Sequence, residues 1–96
     1  MKIPSTKEAT ILALLAKGEP LYGLQLVELS DGVLKRGTIY VTLGRMQDKG
    51  LVRALVDSGA GRHPGLPRPR YRLTAAGCQA LRVHAAVGAL LREGRA

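Results

Sequence analysis

The sequence contains no Phe and no Trp, and three Tyr are its only aromatic residues. Its core must therefore be aliphatic, made of Leu, Val, Ile and Ala. Few rings are left to stack on unpaired bases, the usual grip on single-stranded RNA. A single cysteine, Cys78, excludes an internal disulfide and reads as a small buried residue on a helix. With His63 and His84 it makes three lone candidate ligands whose spacings fit no zinc pattern. Catalytic groups are scarce too. Ser30-Asp31 and Ser58 have no nearby base, and Gly59-Ala60-Gly61 is not followed by the helix that a phosphate cradle needs. No enzyme, metal or cofactor is expected. The longest uninterrupted apolar run, Ile11 to Ala16, is far too short to span a bilayer. Met1-Lys2-Ile3-Pro4 opens no signal-peptide core. A cytoplasmic protein with no membrane partner is expected.

Acids are also few, and their distribution is informative. The chain has 96 residues and a net charge of +8. Lys35 to Arg72 holds nine of the fifteen Lys and Arg and two of the seven acids, Asp48 and Asp57. That segment alone carries +7, the first 34 residues sum to −1 and the last 24 to +2. Charge added for solubility would be spread along the chain. Concentrated positive charge is the footprint of a polyanion site.

Local signals give the order of elements. Ser5 and Glu8 have capping-box spacing, and Ile11, Leu12 and Leu15 then share a helical face. Gly18 and Pro20 close that first helix. A second helix is expected from near Leu21, with Tyr22, Leu26 and Leu29 on one stripe and Ser30-Asp31-Gly32 at its end. Thr38 is a candidate N-cap for a third helix that runs to about Lys49, with Gly50 as its C-cap. In it Ile39, Leu43 and Met46 form an apolar stripe. Thr38, Thr42, Arg45 and Lys49 form a second stripe of hydroxyls and cations, suited to phosphates and base edges.

Leu51 to Val56 reads as a strand. Asp57 to Pro69 contains three Gly and three Pro and reads as a loop. Arg70 to Leu73 alternates cation and apolar residue, as a half-buried strand does. Thr74 then caps a fourth helix to roughly Leu91. The expected architecture is mainly α with a two-stranded hairpin: a winged helix-turn-helix of order α-α-α-β-wing-β-α. Residues 1–73 are expected to form a DNA-binding part, and residues 74–96 a dimerisation helix within the same domain.

Several motifs in this order resemble the PadR-like family of winged-helix transcriptional regulators. They are Leu21-Tyr22-Gly23, Gly37-Thr38-Ile39-Tyr40, Leu43-Gly44-Arg45-Met46 with Lys49-Gly50-Leu51, and Arg68-Pro69-Arg70-Tyr71-Arg72-Leu73-Thr74 with Ala76-Gly77. The resemblance covers residues 8 to about 82. The chain departs from the family in having Val41 where Pro often stands, and in the stiff tip His63-Pro64-Gly65-Leu66-Pro67. It also has one C-terminal helix where larger relatives have several. The resemblance implies that Tyr22 and Tyr40 touch the DNA backbone through their hydroxyls. The alternative reading is that both are partly buried core rings with wet tips. Larger relatives respond to small molecules, but no Trp platform exists here and no effector is assigned.

The expected DNA-binding set is Tyr22, Lys35, Arg36, Thr38, Tyr40, Thr42, Arg45, Lys49, Arg62, Arg68 and Arg70. A bland reading makes the cations a solvated face, but acids do not alternate with them and the neighbouring loop is basic. In the last helix Ala76, Ala80, Val83, Val87 and Leu90 recur at heptad-like spacing and are expected to form a homodimer seam, with Leu81 and Leu91 packing on the body. The leading functional expectation is a homodimeric regulator, a repressor, on a pseudo-palindromic duplex operator. The alternatives are a winged-helix module that binds an acidic protein partner and an RNA-binding protein.

Overall fold

The computed structural model describes residues 5–55 and 69–93. Seven elements follow in order: α1 (Thr6–Leu15), β1 (Leu21–Tyr22), α2 (Gly23–Leu29), α3 (Ile39–Asp48), β2 (Val52–Leu55), β3 (Arg70–Leu73) and α4 (Ala75–Glu93). The strands form one antiparallel sheet of order β1-β3-β2. The architecture is a winged helix-turn-helix.

The capping box forms as the spacing predicts. Ser5 Oγ accepts the Glu8 N–H at 3.2 Å, and Glu8 Oε1 accepts the Ser5 N–H at 3.1 Å. Between α2 and α3 the buried Ser30 hydroxyl donates to the Val27 carbonyl at 2.8 Å and accepts the Leu34 N–H at 3.0 Å. This holds Leu34 in the core. Asp31 and Gly32 turn the chain with φ of +54° and +88°.

The core is aliphatic. Its largest fully buried side chains are Ile11 and Leu12 of α1, Leu26 of α2, and Ile39, Leu43 and Met46 of α3. Val52 and Tyr71 extend it beneath the sheet. Thr74 ties the sheet to α4. Its hydroxyl donates to the Gly50 carbonyl at 2.6 Å and accepts the Gly77 N–H at 3.0 Å, and its own N–H donates to the Leu51 carbonyl at 3.1 Å.

Five expectations are corrected. The sheet has a third strand, because Leu21 and Tyr22 pair with Tyr71 and Arg70. Tyr22 therefore precedes α2 and shares no helical stripe with Leu26; its N–H is held by Gln25 Oε1 at 2.8 Å. Leu29, placed on that stripe, is exposed. Thr38 sits at the N-cap of α3 but its side chain caps nothing. The Thr38 and Ile39 N–H groups donate instead to the Lys35 carbonyl, at 3.2 and 3.0 Å. Leu91 is exposed near the end of α4, beyond the reach of the body it was expected to cover.

Candidate nucleic-acid interface

The geometry of α3 decides which of its side chains can meet a partner. At roughly 100° of rotation per residue, Val41 and Asp48 lie opposite the buried stripe Ile39, Leu43, Met46. Gly44 and Arg45 flank that outward line by about 50° on either side. Thr38, Thr42 and Lys49 lie about 70–110° from the core stripe, on the flank of the helix rather than its outer face. The burial agrees. Arg45 and Val41 are exposed, whereas Thr42 is half-buried and its hydroxyl donates back to the Thr38 carbonyl at 3.2 Å.

Lys49, expected in the interface, has a partner within the chain. Its ammonium lies 2.8 Å from Glu8 Oε2 of α1, with the carboxylate nearly buried. Burial alone would raise the Glu8 pKa. Hydrogen bonds from Lys49 and Ser5, together with the Lys49 charge, outweigh it and hold the carboxyl below its ordinary range. Lys49 thus braces α1 against the end of α3, and its charge is largely neutralised.

The other described cations form no ion pair with a described acid. Among the described residues the Lys49–Glu8 bridge is the one ion pair. Lys35 and Arg36 are exposed in the turn before α3, with Thr38 beside them, and Arg45 is exposed on α3 itself. Tyr40 projects from the first turn of α3 over Gly23, at the start of α2, and is 48% exposed. Tyr22 is also exposed, and the Arg70 guanidinium lies over its ring, 5.9 Å from the centroid. The Arg70 Nε is buried without a partner. Tyr71 lies beneath, and burial, with a smaller contribution from Tyr40, pushes its hydroxyl pKa up.

The structure therefore brings Lys35, Arg36, Thr38 and Tyr40 to the exposed start of α3 and the turn before it, with Arg45 exposed in the last turn of the same helix. It sets Tyr22 and Arg70 beside them on the edge of the sheet. Both tyrosines are surface rings, so Tyr71 is the aromatic residue that serves the core. Arg62 and Arg68, expected on the wing, lie outside the described residues, as does His63. Val41 and Gly44, on or near the outward line of α3, were not among the expected site residues. A full helical projection finds them, because it measures direction from the core stripe instead of seeking a polar stripe.

On α4, Ala80 and Leu81 pack partly on the core. Val83 and Val87 are half-buried, Ala76 is exposed, and Leu90 is 66% exposed. Cys78 is exposed, not buried. Among the described residues no helix is long and apolar enough to cross a membrane, and no three His, Cys, Asp or Glu converge as metal ligands.

Comparison with known proteins bears on the fold and the family. A PadR family transcription regulator from hypervirulent Clostridium difficile R20291 has a similar structure, with a TM-score of 0.77 at 24% identity over 93% of each chain. A PadR-like transcription factor from Bacteroides fragilis also has a TM-score of 0.77, at 27% identity over 91% of this chain and 84% of that one. MepR of S. aureus, solved as a DNA complex, shares the fold at 15% identity, with a TM-score of 0.70 over 95% of this chain and 69% of that one. No curated protein sequence matches. A scan of family profiles matches residues 11–83 to the transcriptional regulator PadR-like family. That span runs from α1 through α3 and the sheet into α4, and the chain belongs to the PadR-like family of DNA-binding transcriptional regulators.

Proposed function

We propose that the protein is a homodimeric repressor that reads a pseudo-palindromic operator in duplex DNA. In this reading each subunit lays α3 in a major groove, the two grooves being roughly 34 Å apart. Lys35, Arg36, Tyr40 and the edge pair Tyr22 and Arg70 hold phosphates, while Arg45 and its outward neighbours face base edges. Arg62 and Arg68 of the wing are assigned to phosphates or the adjacent minor groove. Thr38 and Thr42 keep a place at the rim. Lys49 contributes mainly by fixing α3 on α1.

The observation that carries this reading is the exposed surface of α3 and of the turn before it. Among the described residues its cations Lys35, Arg36 and Arg45 form no ion pair, and the surrounding segment holds +7 of the net charge. The acid on the outward line, Asp48, lies about 10 Å further along the helix than Val41, in the last turn. Val41 leads the outward line, Arg45 follows one turn later, and Asp48 trails it at the helix end.

The dimer is assigned to α4. Ala76, Ala80, Val83, Val87 and Leu90 give it an apolar seam, and Leu90 and Leu91 near its end are uncovered by their own subunit. Two-fold symmetry would match the protein to a palindrome. Repression in this reading needs only occupancy of promoter DNA by the two α3 surfaces. The site of action is the cytoplasm, and no effector is assigned.

Selection of bound fragments from a random duplex pool, followed by gel shifts against duplex DNA, RNA and an acidic polypeptide, tests the reading. Enrichment of an inverted repeat supports it. Preference for the polypeptide would favour an acidic protein partner, and preference for RNA would favour an RNA-binding protein.

A further inference from the structure

We propose that Val41 is a specificity-determining residue that reads the C5-methyl group of a thymine in each half-site. The inference rests on the DNA-reading assignment of α3 and adds a contact that charge and hydroxyl patterns do not reveal.

Val41 is 57% exposed in the middle of a regular helix. Nothing in the protein's own packing accounts for it, since it belongs neither to the core nor to the side chains packed against the core. Helix propensity does not account for it either, because a β-branched residue is a weaker helix former than Ala, Lys or Glu at a solvated position. It points directly away from the stripe Ile39, Leu43, Met46 and so sits at the crest of α3. An apolar side chain there meets whatever the helix is pressed into.

The surroundings identify that partner as duplex DNA. Arg45 follows one turn later and Thr38 precedes by three residues, both exposed. Lys35 and Arg36 lie just before them. An apolar partner protein would desolvate these cations at a cost, whereas phosphates on both sides of a groove complement them. Gly44, beside Val41 on the same face, has no side chain, and a Cβ built there would have no neighbour within 4 Å. The crest is therefore low next to Val41, and a base-pair edge can approach. Within the major groove the thymine methyl is the one apolar group that a base presents, and short apolar side chains recognise it.

The test uses the purified full chain and the duplex site it selects. Each thymine is replaced in turn by deoxyuridine, which removes the methyl and keeps the pairing. For the unaltered protein, uracil at one position per half-site should weaken binding roughly fourfold, the worth of one buried methyl-sized group. Val41→Ser should bind the thymine site more weakly by a similar factor per half-site and be indifferent to uracil at that position. Val41→Thr keeps a γ-methyl and should retain the sensitivity. Because Val41 is exposed, thermal unfolding of both variants should match that of the unaltered protein. Insensitivity to uracil at every position, or full sensitivity surviving in Val41→Ser, would overturn the assignment while leaving sequence-selective binding intact. Absence of any preference among duplexes would instead overturn the operator-reading function on which the assignment depends.

Discussion

Tyr40 of α3 lies so close over Gly23 that a Cβ on residue 23 would sit 2.8 Å from the ring Cε1 and 3.2 Å from the hydroxyl oxygen. The first turn of α3 and the start of α2 are thus in van der Waals contact through a ring and a glycine. The ring is half exposed and can swing aside, while the two helices cannot easily part. Gly23→Ala should therefore displace the Tyr40 hydroxyl without unfolding the protein. Loss of one charge-assisted contact to phosphate corresponds to about a tenfold loss of DNA affinity per subunit. Thermal stability should hold or rise slightly, because alanine is the better helix former. Tyr40→Phe should lose a similar affinity, and the double variant should lose little more. Additive losses would separate the glycine from the tyrosine.

Gly77 gives the opposite outcome for the same substitution. A Cβ there would overlap the Leu51 backbone carbonyl oxygen and press on the Leu73 side chain at 3.0 Å. That carbonyl also accepts the Thr74 N–H, so it has little freedom to move. Gly77→Ala should destabilise the fold by about 1–3 kcal/mol. Chemical denaturation should show the loss, and one of only a few tenths would mean that α4 slides on the sheet.

The Glu8–Lys49 bridge makes stability pH-dependent in a defined direction. The Glu8 carboxyl has a lower pKa in the folded protein than its ordinary 4.5. The bridge therefore stabilises the fold fully above that ordinary value, and its contribution fades as pH falls through the folded-state pKa. The half-exposed ammonium keeps the gain modest. Lys49→Ala should cost about 1 kcal/mol near neutral pH, and the cost should shrink in acid. An equal cost at both ends would assign Lys49 to packing alone. The same variant should leave the salt dependence of DNA binding almost unchanged, because its charge is already matched.

The proposed dimer is tested on α4. Val87→Glu places a carboxylate in the seam and should yield monomers at micromolar concentration, since a buried unpaired charge is costly. Arg82→Glu, on an exposed position of the same helix, should leave assembly intact. Sedimentation of both variants decides the matter. A dimeric Val87→Glu would return the valine to the subunit's own core.

Most of the scaffold was legible in the sequence because its signals are local. The Ser5–Glu8 box, the Ile39-Leu43-Met46 stripe, the alternation in Arg70–Leu73 and the Thr74 cap each span less than three turns or one strand. What escaped depends on residues far apart in the chain. A two-residue strand such as β1 has no periodicity, so Tyr22 was read as helical until its pairing with Arg70 placed it on the sheet. The partner of Lys49 lies 41 residues away. Choosing the outer face of α3 by residue type favoured Thr42 and Lys49, on its flank, and passed over Val41, which only direction from the core picks out.

The central claim is that the cationic surface around α3 grips the phosphates of duplex DNA. Its most direct test is the affinity for one selected duplex as a function of salt. A dimer making on the order of 6–10 phosphate contacts should lose ~10³–10⁵-fold in affinity between 50 and 200 mM salt, with log affinity linear in log salt. A flat dependence would contradict the account.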